Sequence, residues 1–254
     1  MKITIITVCF NSEKYLQETI DSVDAQTFSN IEYIVIDGAS TDSTVEIIKR
    51  NERCISRWIS EADEGMYNAI NKGLLIATGD YILILNSDDT LAESDVISRV
   101  ADFIKTHGLD YCYGDIIKVK NGFHKKVRLF NVNFRKLLLS THGSFVPHPC
   151  FFISAELNRK LNGYDITYRY ASDYDYILRA LSRPGVKGRH LGVYVTRFRL
   201  HEHSITASGK LDQERRRVLT KHAYYDYPYV IRSLYYVTFW IYYKLINVGH
   251  RYRA

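Results

Sequence analysis

The chain has 254 residues, 46% of them hydrophobic and 24% charged, which is enough to bury a full core as one large domain or a domain with an extension. Its net charge of +6 is local: residues 210–254 hold nine Lys/Arg against three Asp/Glu, so residues 1–209 are neutral, and a uniformly basic nucleic-acid binder is excluded. Four widely spaced cysteines, with no Cys-x-x-Cys pair, exclude a zinc ribbon or a thioredoxin-like site and predict buried free thiols in a reducing compartment.

Taken in chain order, Met1 leads at once into Ile3–Val8, an apolar β-branched run read as a strand. The run is too short, and lacks the small-residue cleavage site, for a signal peptide. Ser12 precedes an amphipathic stretch with Tyr15, Leu16, Ile20 and Val23 on one face. Ile31–Ile36 is a second strand ending at Asp37-Gly38, and Ser40, Thr41 or Asp42 can cap the helix that follows. Trp58-Ile59 is a short third strand. Met66–Ala77 reads as a helix with Ala69, Ile70, Gly73, Leu74 and Ala77 facing inward. Tyr81–Leu85 is a fourth strand, followed by a helix around Val96–Ile104 and a strand Tyr111–Tyr113 ending at Gly114-Asp115. This order argues a parallel sheet with crossover helices. From about 116 the rhythm breaks, and 116–150 reads as irregular. Helices follow around Ala155–Leu161 and Ser172–Leu181, then a strand Val193–Phe198, and a helical region from Leu211 interrupted near Pro228.

The chemistry concentrates at strand ends. Tyr81–Leu85 stops at Asn86-Ser87-Asp88-Asp89, where two adjacent carboxylates repel unless a cation or a donor-rich ligand offsets them. The alternative is a polar turn capping the next helix. Asp37, Asp88 with Asp89, and Asp115 share one predicted sheet edge, the edge at which open α/β sheets bind ligands. No Gly-x-Gly-x-x-Gly follows the first strand and no Gly-Lys-Ser/Thr loop occurs, which disfavours dinucleotide oxidoreductases and P-loop NTPases. The first loop, Thr7 to Ser12 with Phe10 and Asn11, carries an aromatic ring and an amide suited to a base rather than a phosphate.

The series Thr7-Val-Cys-Phe-Asn11, Ile34-Val-Ile-Asp37-Gly-Ala-Ser-Thr-Asp42, Glu64-Gly-Met-Tyr-Asn68, Ala77-Thr-Gly79-Asp and Leu85-Asn86-Ser-Asp88-Asp89 resembles the ordered signature of the family 2 glycosyltransferases. The likeness resumes at Phe151-Phe152 and at Gly163-Tyr-Asp165, Tyr170-Ala-Ser-Asp173-Tyr-Asp175 and Arg179. It implies a GT-A-type, Rossmann-like α/β fold: a mixed, mostly parallel sheet with flanking helices and a C-terminal helical extension. The implied division is a catalytic domain over 1–209 and a basic, Tyr-rich helical extension over 210–254. Within the catalytic domain, 1–115 would bind the nucleotide sugar and 116–209 the acceptor.

The resemblance also implies roles. Thr7, Phe10, Asn11, Asp37 and Asp63 would hold the nucleoside, with Asn86 and Ser87 beside it. Asp88 would bind Mn²⁺ or Mg²⁺; separately from the resemblance, the alternate spacing of His201 and His203 places both on one face, from which either would reach the metal or diphosphate. Asn86 stands where many members have a first Asp. Asp173 would be the catalytic base, with Ser172 replacing the usual Glu and Asp175 as its competitor. His148 would contact the acceptor. The implied reaction is inverting, metal-dependent transfer from a nucleotide-diphosphate sugar to a saccharide, frequently lipid-linked, in bacterial surface-polysaccharide synthesis. Rival readings are a non-catalytic nucleotide-sugar-binding scaffold and a sugar nucleotidyltransferase, whose glycine-rich basic N-terminal loop is absent here.

The tail has its own expectation. From Tyr229 to Val248, polar Arg232, Ser233, Lys244 and Asn247 fall within an arc of roughly 120°. Val230, Leu234, Val237, Ile241, Leu245 and Val248 occupy the opposite arc, with aromatic flanks suited to a membrane interface. This predicts a helix on the cytoplasmic membrane surface, a peripheral location. The alternatives are packing on the catalytic body or a homo-oligomer interface.

Overall fold

The computed structural model describes residues 1–140, 146–200 and 211–250. Strand β1 (Ile3–Cys9) is buried along its whole length, which explains its continuous apolar, β-branched run. It pairs in parallel with β2 (Ile31–Asp37) on one side and β4 (Tyr81–Ile84) on the other, and β3 (Arg57–Ser60) extends the sheet beyond β2. The local order β3-β2-β1-β4 reverses between β1 and β4. Such a switch point opens a crevice at the carboxyl ends of the strands.

Beyond β4 the sheet becomes mixed. Strand β8 (Phe151–Ser154) runs antiparallel between β4 and β6 (Tyr111–Lys120). Strand β9 (Gly188–Arg199) is parallel to β6, and the short β5 (Thr90–Leu91) closes that edge antiparallel to β9. Strand β7 (Phe123–Val127) folds back on β6. The mixed, mostly parallel sheet expected from the resemblance is therefore present.

Helices α1 (Leu16–Asp24), α2 (Thr44–Arg50), α3 (Met66–Ile76) and α4 (Val96–His107) cross over between the early strands. Helix α3 lies so close to the sheet that a Cβ on Gly73 would come within 2.6 Å of Ile6 Cγ2; a side chain there would lift the helix off β1. Helices α5 (Phe134–Leu139), α6 (Ala155–Leu161), α7 (Ser172–Ser182), α8 (Leu211–Lys221) and α9 (Tyr229–Ile246) complete the fold.

Two expectations need correction. Within the stretch 116–150, residues 116–139 are largely regular: β6 continues to Lys120, turns through Asn121-Gly122 at positive φ (49° and 79°), and returns as β7 before α5. An Asn-Gly pair at positive φ is the turn that matches the twist of two antiparallel strands. The boundary between 115 and 116 therefore falls inside β6. The expected boundary at 209/210 lies outside the described residues; beyond it, Val218 and Leu219 of α8 are buried in the same core as the sheet. The cysteine expectation holds: all four are free, and Cys9, Cys112 and Cys150 are buried.

Candidate active site

The loops after β1, β2, β3 and β4 converge on one sheet edge. Asp37, fully buried at the end of β2, organises three of them. Its carboxylate accepts the Ser60 hydroxyl (2.6 Å), the Ser40 backbone N–H (3.0 Å) and the Ser40 hydroxyl. Ser40 in turn accepts the Asn11 N–H at 2.8 Å, and Asn11 Oδ1 accepts the Thr41 N–H at 2.9 Å. Asn11 has φ of 49°, a conformation Asn tolerates better than most residues. This turn throws the Phe10 ring outward, 62% exposed. Gly38 faces Asp63 so closely that a Cβ would lie 2.6 Å from Asp63 Oδ2. The missing side chain lets Asp63 approach the β1 and β2 loops, and the Gly65 N–H fixes its other oxygen at 2.8 Å.

The loop after β4 joins this edge through the Ser12 and Ser87 hydroxyls, 2.9 Å apart. Here the two adjacent carboxylates separate into different environments. Asp89 is fully buried, accepting the Asn86 amide (2.8 Å) and the Arg199 N–H (3.0 Å). Burial, reinforced by the Asp88 charge, pushes its carboxyl well above the usual range. Asp88 is half-buried at the edge. Arg199 clamps the loop from the far end of the sheet. Its Nε donates to the Asp88 carbonyl, its Nη2 to Glu18, and its guanidinium lies over the Tyr15 ring.

Asp173 approaches from the other half of the molecule. It lies in the first turn of α7, half-buried, and accepts the Tyr174 N–H (2.8 Å) and the Tyr67 hydroxyl (3.2 Å) on one oxygen. Tyr67 belongs to the first turn of α3, four residues after Asp63, so α3 links Asp173 to the sheet-edge loops. A reciprocal pair between the Asn71 side chain and the Tyr164 backbone, 2.8 Å each way, ties the same helix to the segment before α7. Burial pushes the Asp173 carboxyl up, while hydrogen bonds from Tyr174 and Tyr67 oppose that rise. Glu214 of α8 accepts three backbone N–H groups at the start of α7, those of Arg169, Tyr170 and Ala171. A carboxylate at a helix N-terminus satisfies donors that the helix itself leaves open.

A sequence model described as Glycosyl transferase family 2 matches residues 4–161, more than half of the chain. The chain belongs to glycosyl transferase family 2. It is 32% identical over 201 residues to a PGL/p-HBAD biosynthesis glycosyltransferase of Mycobacterium bovis, covering 77% of this chain and 75% of that one. Its fold is similar to that of S. aureus TarS residues 1–349 in complex with UDP-GlcNAc. The TM-score is 0.73 at 19% identity, over 94% of this chain and 71% of that one. A mannosyltransferase from Pyrobaculum calidifontis in complex with GDP-Man and Mn²⁺ also shares the fold. There the TM-score is 0.67 at 16% identity, over 89% of this chain and 65% of that one. The protein is a glycosyltransferase with the GT-A fold.

Against this family frame the expected residues divide. Phe10, Asn11, Asp37, Asp63, Asn86, Ser87 and Asp88 all lie in the converging loops. Thr7 does not reach the cleft. Its side chain is fully buried and accepts the Tyr33 hydroxyl at 3.1 Å, bridging β1 to β2. His148 is also an interior group, 7% exposed, with Nε2 at 2.6 Å from the Tyr164 hydroxyl. Burial pushes its imidazole down to about 4, and the expected acceptor contact finds the ring engaged with Tyr164 rather than open to solvent. Asp115, expected at the ligand edge, lies inside β6 and accepts the Leu129 N–H and the His190 ring, both at 2.7 Å. His201 and His203 lie outside the described residues. Three contributors were not recognised as such: Tyr67, Arg199 and Glu214.

Asp175, the rival base, is sealed. It is fully buried and bonded to Arg179 Nε (2.7 Å), Lys221 Nζ (3.0 Å) and His222 Nε2 (3.0 Å). Burial alone would raise its carboxyl, but hydrogen bonds from His222 and Lys221 and the Arg179 charge outweigh it and hold the group well below the usual range. It is the joint between α7 and α8. Replacing Asp175 with Asn removes the centre of this buried cluster, which costs about 3 kcal/mol and should lower the melting temperature by roughly 6–10 °C. Because the folded carboxyl is depressed, its contribution is complete above the ordinary carboxylate range and fades as pH falls through the depressed value. Thermal unfolding of mutant and wild type should therefore converge in strong acid; a constant difference at every pH would exclude this ion cluster as the cause.

Proposed function

We propose that the enzyme transfers a monosaccharide from a nucleotide-diphosphate sugar to a saccharide hydroxyl with inversion, and that Asp173 is the base. The observation that carries this reading is the placement of a half-buried carboxylate with a raised protonation range, linked through Tyr67 and α3 to the loops of Asp37, Asp63 and Asp88. Asp173 takes the proton of the acceptor hydroxyl as the acceptor oxygen bonds to the anomeric carbon. The bond from that carbon to the diphosphate oxygen breaks on the opposite face, and the nucleoside diphosphate leaves. The UDP-GlcNAc and GDP-Man held by similarly folded proteins support a nucleotide-sugar donor.

The residues present fit a hard divalent cation of the Mg²⁺ or Mn²⁺ type. No group of three His, Cys, Asp or Glu side chains converges among the described residues, but such ions are commonly held by one or two carboxylates plus phosphate oxygens. Asp88, half-buried in the loop that follows β4, would supply the protein carboxylate. When bound, the cation would offset the charge on the leaving diphosphate.

The acceptor in this reading is a lipid-linked saccharide of a surface glycan, met at the cytoplasmic face of a membrane. The 32% identical glycosyltransferase named for PGL/p-HBAD biosynthesis supports a biosynthetic sugar transfer of this kind. No helix among the described residues is long and apolar enough to cross a membrane, and the reading needs none. A panel of UDP-, GDP- and dTDP-sugars incubated with Mn²⁺ tests it. One donor should be hydrolysed slowly alone and transferred once an acceptor saccharide is present, the product carrying the opposite anomeric configuration. A retained configuration would overturn inversion, and inertness toward every donor would overturn the reaction.

A further inference from the structure

Helix α9 presents its faces in an order that water alone would not favour. Its inward side carries Phe239 and Tyr243 against the core, with the Phe130 ring 5.0 Å from Phe239 and 4.6 Å from Tyr242. The polar Asn247 also faces the body, exchanging hydrogen bonds of 2.8 and 3.0 Å with the Arg128 backbone. The outward side is the apolar stripe Val230, Leu234, Val237, Ile241, Leu245 and Val248, each 47–74% exposed. A stripe of this length, about five helical turns, is larger than a solvent-facing helix normally leaves open.

Two further observations say what covers it. First, no Asp or Glu occurs after Asp226, while Arg232, Lys244, Arg251 and Arg253 do. A second copy would offer this basic segment no acid from its own corresponding segment, whereas an anionic surface complements it. Second, a hollow of about 350 Å³ opens beside the stripe, lined by Tyr224, Tyr229, Arg232, Ser233, Tyr236 and Val237. The Arg232 guanidinium lies over the Tyr224, Tyr225 and Tyr229 rings at 5.0–5.9 Å. Its Nε is closed off from solvent and has no hydrogen-bond partner among the described residues. An arginine fork held by rings beside an open hollow suits a phosphate oxygen through its outer guanidinium nitrogens.

We propose that α9 lies on an anionic phospholipid surface, its outward stripe in the acyl boundary and Arg232 on a lipid headgroup phosphate. This deepens the reading of a membrane-held acceptor. Helix α5 lies between α9 and α7 and packs against both, so the lipid surface would run alongside the half of the enzyme that carries Asp173. Rings of Tyr229, Tyr236, Trp240 and Tyr242 on the flanks suit the headgroup level.

The test is flotation of the full chain with vesicles of phosphatidylcholine alone or mixed with phosphatidylglycerol, at low and high salt. The wild type should float with the anionic vesicles and less with the neutral ones. Leu234→Glu with Ile241→Glu, both at exposed positions, should weaken binding at least about tenfold. Arg232→Gln should weaken it about fivefold on anionic vesicles and little on neutral ones. Nucleoside-diphosphate binding by both variants should match the wild type, which separates failure of the lipid surface from failure of the transferase reading. Equal flotation of wild type and double variant overturns the proposal. So does a wild-type dimer that does not float and that the double variant dissociates. Arg232→Gln binding anionic vesicles like wild type removes the headgroup site.

Discussion

Asp173→Asn is expected to reduce sugar transfer by about 10²–10⁴-fold, the range a positioned general base contributes, while leaving nucleoside-diphosphate affinity nearly unchanged. The asymmetry follows from where the group acts: a base that takes the acceptor proton stabilises the transition state, so its loss appears in turnover. The amide is close in size and still accepts the Tyr67 hydroxyl and Tyr174 N–H, so α7 should stay in place. A pH profile adds a readout that a structural role would not move. Burial raises the Asp173 carboxyl above its ordinary value, and the base must be deprotonated. The acid limb of kcat/KM should therefore lie above the usual carboxylate range and vanish in the residual activity of the Asn variant. Tyr67→Phe removes a hydrogen bond that favours the carboxylate, so it should move that limb further upward. Turnover of Asp173→Asn within about threefold of wild type would assign the base elsewhere, and the sealed environment of Asp175 makes that residue a poor replacement.

The sheet-edge half of this site was legible because its residues follow apolar strand runs directly. Ile31–Asp37 and Tyr81–Asp89 each announce a buried strand and then a polar stop, and the parallel topology brings such stops together. The same logic misled at Thr7 and His148. Strand β1 is buried on both faces, so alternation could not show which way Thr7 points, and His148 was judged by its place beside Phe151-Phe152 rather than by the Tyr164 ring that covers it. The β6–β7 hairpin is written in Asn121-Gly122, but only Val127 of β7 is buried, and its Phe-His-Lys-Lys run lacks the alternation that marks a half-buried strand. Glu214 and Arg199 were out of reach for a different reason. Glu214 serves backbone groups 43–45 positions away and Arg199 Nε one that is 111 away, and no local pattern in a sequence records which distant N–H or carbonyl a side chain will find.

Asp88→Asn should remove most of the enhancement that Mn²⁺ gives to nucleoside-diphosphate binding, at least about tenfold or about 1.4 kcal/mol. The argument rests on how the Asn86–Asp89 loop divides its charges. Asp89 is buried with both oxygens engaged, by the Asn86 amide and the Arg199 N–H. Asn86 points its amide into Asp89. Arg199 holds the Asp88 backbone carbonyl while the Asp88 side chain stands half-buried at the edge. One anionic oxygen pair at a strand end, beside the Ser12–Ser87 contact, is what a cation shared with a diphosphate requires. Removing that charge leaves the amide oxygen, a weaker partner for a hard cation. The affinity measured without metal should change little or improve slightly, because a carboxylate facing a diphosphate repels it. Calorimetric titration of UDP and GDP into both proteins, with Mn²⁺ and with chelator, separates the two terms. If the metal enhancement is equal in mutant and wild type, Asp88 is not the ligand and the cation is held by groups other than this loop.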